Sequence, residues 1–458
     1  MSTISYSTRG PGLPGPGDRN DSRHIGSWGW SIGIPATASI LSQVAPGSLG
    51  VWIALTLAII ATIVHGHRSL QEPGSRGRDL LTSAIMYFLV GLLCAVYLAI
   101  LASPYDSKLF RLQLTGLVPE DNIASFYVLL WALCIAGVPW PGRRGSDAGT
   151  EIKPAPFEPR VASVLFLLGG VGLYIALAAP RVEVFANRGQ ESGNGIQALL
   201  YWAAATAIAY VILTWRRTDL RLFLVAAVAY SALMVSTGNR SPLALVAIAV
   251  IYRVVSDRNR HAGLALLVGA PIGLFILSYQ STWRSLVAAR LSAEPVAVLQ
   301  QMFADPLATL LRFGLDTIDG YTLTQRILGS GFEARPLDPV MALLNFVPRQ
   351  IWPDKPIPLG SEVGADYLGL GAGGIFMSGP GYLSLVAGSA MLGFVLFVLF
   401  IFGLRGVVRR NGIHPVVGAA ATFLIARFSM AGDAFDIFLA VQVAILFYLS
   451  SWIARLRI

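Results

Sequence analysis

Apolar runs close to the length needed to cross a bilayer recur along almost the whole chain, at residues 51–64, 80–102, 123–138, 161–179, 196–214, 220–235, 243–255, 262–278, 383–404, 416–430 and 437–453. A helix rises 1.5 Å per residue, so about 20 apolar residues cross a hydrocarbon layer about 30 Å thick. A twelfth run, 28–44, is diluted by Gly, Pro, Ser and Gln. Over 458 residues, 55% hydrophobic and 13% charged, a chain of this kind has too little polar surface to cover a water-soluble core. The expectation is an all-α polytopic membrane protein of about 11–12 transmembrane helices, with one large external loop before the last three.

Arginines set the orientation. Alternate loops hold Arg68, Arg76 and Arg78; Arg143, Arg144, Lys153 and Arg160; Arg216, Arg217 and Arg221; Arg253, Arg258 and Arg260; Arg405, Arg409 and Arg410; and Arg455 with Arg457. The positive-inside rule makes these loops cytoplasmic, along with both termini, in a multi-pass protein. Four segments follow: a cytoplasmic tail at 1–27 without fixed structure, N-terminal spans at 28–278, an external loop at 279–380, and C-terminal spans at 381–458. The tail is polar and rich in Pro and Gly, so the first helix is expected to do the targeting. The net charge of +9 reports this topology and contact with membrane lipids, and implies no nucleic-acid partner.

Several chemistries find no support. Cys94 and Cys134 lie inside expected spans, so neither a disulfide framework nor a metal-ligand spacing is visible. All five histidines fall on the cytoplasmic side by the same topology, and no nucleotide-binding loop occurs. No metal and no cofactor is expected.

Arginine and carboxylate remain on the outer face. The planar guanidinium fork binds phosphate oxygens bidentately and keeps its charge when partly buried. An external membrane enzyme without a nucleotide site must draw its substrate from lipid, and a polyprenyl-pyrophosphate-linked sugar is the activated lipid that fits. Arg349 stands out, because Pro348 and Pro353 stiffen its backbone, Trp352 offers a stacking face, and Lys355 follows. Arg240 sits in the tight turn Ser236-Thr-Gly-Asn-Arg-Ser-Pro242, where a phosphate would meet both a guanidinium and a helix N-terminus. A snorkelling interfacial arginine explains that position equally well. Arg284, Arg312 and Arg427 complete the phosphate-binding candidates, although Arg427 also reads as a structural partner of Asp433 or Asp436.

Three stretches carry a family resemblance: Val347-Pro-Arg-Gln-Ile-Trp-Pro-Asp-Lys-Pro356, Thr237-Gly-Asn-Arg-Ser-Pro242 and Ser378-Gly-Pro-Gly-Tyr-Leu-Ser-Leu-Val-Ala-Gly-Ser389. Together with the layout of spans they resemble the Wzy-type O-antigen and oligosaccharide repeat-unit polymerases. The resemblance implies a fold like the lipid-dependent C-type glycosyltransferases and a reaction joining repeat units carried on undecaprenyl pyrophosphate. It assigns the Arg-x10-Gly element from Arg349 to Gly360 to the site, and implies a flippase and a chain-length regulator as partners. A second such element does not occur in the external segments.

The leaving group determines the rest of the expected chemistry. Pyrophosphate departs as an anion, so fixed positive charge serves better than a proton donor. The acceptor hydroxyl needs a base, and Asp316, Asp319 and Glu333 are the first candidates, the two aspartates lying beside Tyr321. A single displacement inverts the anomeric centre without metal. Two other classes stay open: an O-antigen ligase, which resembles this layout but uses an external His, and a lipid-linked oligosaccharide flippase or transporter, which should carry charges deep within its spans. In the sequence, ionisable residues sit almost entirely at span ends.

Overall fold

The computed structural model describes residues 22–44, 48–72, 74–102, 119–139, 157–178, 195–214, 221–236, 240–256, 275, 279, 282, 294–304, 306–343, 352, 354, 359–360, 362–363, 377–410, 413–432 and 434–456. Among them every regular element is helical. Eight helices precede the long segment: α1 (Ser22–Val44), α2 (Leu49–Gln71), α3 (Gly74–Ala102), α4 (Pro119–Ala136), α5 (Pro159–Ala178), α6 (Gly195–Thr214), α7 (Arg221–Ser236) and α8 (Arg240–Ser256). Within it lie α9 (Pro295–Ala304), α10 (Pro306–Gly329) and α11 (Asp338–Leu343). The chain then forms α12 (Gly379–Ala387), α13 (Ala390–Arg409), α14 (Pro415–Ala431) and α15 (Ala434–Arg455).

Leu49–Gln71, Gly74–Leu98 and Ala390–Arg409 are long and apolar enough to cross a membrane, and shorter apolar helices such as Ile123–Ala136, Leu199–Thr214 and Pro415–Met430 accompany them. This is a helical membrane protein. The expected run 262–278 lies outside the described residues apart from Phe275. Cys94 and Cys134 are both free and buried.

Side-chain contacts reveal how the helices alternate. The Glu158 N–H before α5 donates to the Tyr210 hydroxyl near the end of α6 at 2.9 Å, and Arg253 near the end of α8 donates to the Leu213 carbonyl of α6 at 3.3 Å. His414, which caps α14, stacks on Tyr210 and on Phe447 of α15. Burial holds its imidazole down at about 4, so it packs as a neutral ring. Arg405 near the end of α13 donates to the last carbonyl of α4, Ala136, at 2.8 Å. The starts of α5 and α14 thus meet the ends of α4, α6, α8 and α13 at one pole of the bundle. Arg253, Arg409 and Arg455 occupy the last turns of α8, α13 and α15, where positive charge also complements the helix dipole. We call this the basic pole.

Small residues set how closely the helices pack. A Cβ on Gly172 would fall 2.3 Å from the Leu200 carbonyl carbon, and one on Gly169 would fall 2.6 Å from the Ala204 Cα. α5 therefore meets α6 backbone to backbone along the stripe Ala203, Ala204 and Ala207, all fully buried. In lipid, where no hydrophobic gain drives helices together, such close contact supplies the dispersion energy of association.

The expected single span at 383–404 is two helices. Gly388, at φ +67°, ends α12, with its N–H bonded to the Leu385 carbonyl and the Ser389 N–H bonded to the Ser384 carbonyl. That pair of bonds is a Schellman closure, and Ser389 then caps α13 through Leu392 N. Hydropathy is blind to this break, because residues on both sides are equally apolar. The hairpin closes tightly, since a Cβ on Gly393 would sit 2.3 Å from the Ser384 backbone.

Gly172→Leu should lower the thermal stability of the protein in detergent by several degrees, because overpacking at a backbone contact costs about 1–3 kcal/mol. Gly403→Ala, where an added Cβ meets nothing within 4 Å, should leave the melting curve unchanged.

Candidate functional site

At the pole opposite the arginine-rich one, the segment expected to be an external loop folds back onto the bundle. Pro306 opens α10, where its missing N–H costs nothing, and the helix continues to Gly329. The second half of α10 is buried: Thr317, Ile318, Tyr321, Thr322, Thr324 and Ile327 are each at most 2% exposed. It packs against α3, α4, α12 and α14. Its threonines satisfy themselves locally, Thr322 donating to the Ile318 carbonyl and Thr324 to the Gly320 carbonyl, so no charge is needed to bury them. Burial pushes the Tyr321 phenol up to about 12, so it stays protonated.

α12 is the element against which this pole assembles. Residues Gly379 to Val386 are all buried. Ser378 caps the helix by accepting from Gly381 N, and Pro380 occupies its first turn, where a missing N–H costs nothing. Space requires glycine at 379, where a Cβ would fall 2.3 Å from the Phe428 carbonyl oxygen, and is tight at Gly381, where a Cβ would fall 3.0 Å from the Thr324 hydroxyl. α12 is thereby seated between α10 and the end of α14.

Residues 330–343 lie across α12. The Arg335 N–H reaches the Leu385 carbonyl at 3.4 Å, and Gly388 leaves room for Ala334. The Arg335 guanidinium pairs with Glu362, which brings the segment around Gly360 onto the same surface. Asp338 opens α11 and accepts a 2.6 Å hydrogen bond from the Tyr382 hydroxyl, whose ring is fully buried in α12. α11 also touches α15. The pole therefore combines a held carboxylate, an ion pair and a buried helix start.

The expected site residues divide as follows. Arg284, Arg349 and Lys355 lie outside the described residues. Arg240 is the first residue of α8, and Arg312, Asp316 and Asp319 lie on α10, but their side chains are outside the described set. Glu333 is exposed on the strap before α11, which gives it the solvated setting of an ordinary surface charge. Trp352 is half-buried, Gly360 is buried in a helical turn with Leu359, and Arg427 is half-buried one turn before the end of α14. Their elements meet through α12: the strap by Arg335, Gly360's turn by Glu362, and α14 by Phe428. Among the described residues, no three His, Cys, Asp or Glu side chains gather as metal ligands.

Sequence reasoning passed over Asp338, Tyr382, Arg335 and Glu362 as participants. Tyr382 lies inside the Ser378–Ser389 stretch that drew attention, and Asp338 precedes a proline at a helix start, a signal for a fixed turn. Neither signal says which carboxylate a tyrosine will meet.

A second polar cluster sits near the basic pole, where Arg78 and Arg405 were expected in loops. Both lie within helices and are buried, Arg405 fully and Arg78 at 8% exposure. Arg405 Nη1 donates to Asp79 Oδ1 at 2.7 Å and to Ser83 Oγ at 3.2 Å. Tyr252 joins the neighbouring face, its hydroxyl 2.5 Å from Thr422 Oγ1, which is 2.8 Å from Thr82 Oγ1. Each arginine is four residues from a helix end, about 6 Å, and so looks peripheral in sequence while being internal in space.

Arg405→Leu should cost about 3–5 kcal/mol by leaving Asp79 buried without its counterion. The matched double variant Arg405→Met with Asp79→Leu should recover most of that loss, and thermal unfolding of the three purified proteins in detergent measures the difference.

No protein-family model, curated protein or solved structure matches this chain, so its function is read from its own residues.

Proposed function

We propose that the protein is a membrane glycosyltransferase of the bacterial plasma membrane that polymerises repeat units carried on a polyprenyl pyrophosphate into a surface polysaccharide. The observation that carries this reading is the packing of 317–343 onto α12 at the pole opposite the basic one, with Glu362 paired to Arg335 on that segment. A segment of that length between apolar helices has no need to be folded unless it builds something, and here it presents arginines and carboxylates where lipid-borne substrate would arrive. In this reading the guanidiniums of Arg349 and Arg427, with Arg240, Arg284 and Arg312, take up the charge that grows on the departing pyrophosphate. A carboxylate receives the proton of the attacking sugar hydroxyl. The outer carboxylates and arginines need no bound nucleotide for that chemistry.

A second reading is transport of the same lipid-linked oligosaccharide across the membrane. It is favoured by one finding, the burial of Arg78, Asp79 and Arg405 inside the helical bundle, since intramembrane charges often line a translocation path. The position of the cluster near the basic pole and the paired geometry of Arg405 with Asp79 fit a structural tie as well.

Purified protein in liposomes, given the lipid-pyrophosphate-linked repeat unit and no nucleotide, should produce a ladder spaced by one repeat unit. Arg349→Ala should reduce chain growth at least a hundredfold, as expected when a charge-stabilising group is lost. Sugar that crosses the bilayer without elongation would replace the polymerase reading with the transporter.

A further inference from the structure

The described carboxylates at the outer pole differ in how firmly they are held. Glu294, Glu333 and Asp354 are exposed, and Glu362 is engaged by Arg335. Asp338 combines partial exposure with a rigid donor. Its backbone N–H is tied to the Arg335 carbonyl at 3.0 Å, and its Oδ2 accepts from Tyr382 at 2.6 Å. Tyr382 itself cannot swing away. Its ring is fully buried and packs edge-on to Phe428, with centroids 6.3 Å apart, inside a helix hemmed in by Gly379 against α14 and by Ser384 against Gly393.

We propose that Asp338 is the general base of the glycosyl transfer and that Tyr382 positions it, an assignment that rests on the polymerase reading above. Among the carboxylates whose side chains are described, including Glu333, it is the one both reachable and aimed, as a base must be; Asp316 and Asp319 fall outside that comparison. As the acceptor sugar oxygen bonds to the donor's anomeric carbon, its hydroxyl proton passes to the Asp338 carboxylate. The bond from that carbon to the pyrophosphate oxygen breaks, and its electron pair leaves with the polyprenyl pyrophosphate. The Tyr382 hydroxyl, donating at 2.6 Å from a buried ring, orients the Asp338 carboxylate. α12 also touches the turn of α14 that carries Arg427, which places the base and a phosphate-binding candidate on elements joined by one rigid helix. Tyr382 is a positioning residue, since it reaches the reacting atoms through Asp338.

The test uses the full-length protein in proteoliposomes with the lipid-linked repeat unit, comparing wild type with Asp338→Asn, Asp338→Glu and Tyr382→Phe. Melting curves in detergent screen each variant for folding. Asp338→Asn should slow elongation by about 10²–10⁴-fold, the usual worth of a general base, and Asp338→Glu should recover part of that rate. Tyr382→Phe should lower kcat about tenfold while leaving KM within twofold, a split that packing damage alone would not produce. Folded Asp338→Asn that elongates at a rate within threefold of wild type, or folded Tyr382→Phe with unchanged kcat, would overturn the assignment. Wild-type protein that grows no chain would instead overturn the polymerase reading, and the base with it.

Discussion

Arg405 enters the interior of the bundle with its full charge, and two other helices are arranged to receive it. Asp79 supplies the counterion from α3, Ser83 one turn later adds an acceptor, and the carbonyl of Ala136 closes the set from the end of α4. That carbonyl is one of the last four of its helix, which have no intrahelical donor, so a single bond satisfies both a buried guanidinium and a frayed helix end. A charge in this position is tolerable only while all of its partners stay in place. The ends of α4 and α13 and the start of α3 are therefore held together at one pole, and the orientation of α13 is set before its far end is considered.

The far end of α13 is where that constraint becomes useful. α12 is folded back along it through the Gly388 closure, at a distance that Gly393 permits because it has no side chain. Gly379 and Gly432 then let α12 rest directly on Phe428 of α14. The hairpin is thus braced on two sides by backbone contacts, and the polar groups on it inherit that rigidity. Tyr382 can hold Asp338, and the Leu385 carbonyl can hold the Arg335 backbone, because α12 has little freedom to move. A site built on such a helix needs less reorganisation during reaction than one built on a free loop.

The two polar clusters differ in a way that bears on function. Around Arg405 the charges are enclosed, Arg405 tied to Asp79 while Arg405 Nη2 and the Nε and Nη2 of neighbouring Arg78 meet no hydrogen-bond partner among the described residues. Around α12 a carboxylate, an ion pair and half-buried Arg427 lie at the edge of the bundle, where they keep partial exposure. The proposed reaction on a lipid-anchored substrate would use the second kind of arrangement, with its scaffold buried and its chemical groups at the rim.

Much of the scaffold could be read along the chain. Apolar run length predicts the helices and the membrane. These are local properties, decided within a few turns of the chain, and they are what the sequence by itself determined. The division of 383–404 at Gly388 was hidden because the flanking residues are equally apolar. The burial of Arg78 and Arg405 was hidden because their places near helix ends look solvent-facing in one dimension. Asp79 and Arg405 are 326 residues apart, and Asp338 and Tyr382 are 44 apart. Which of many carboxylates meets which donor depends on how helices rotate and cross, so that choice belonged to the tertiary structure alone.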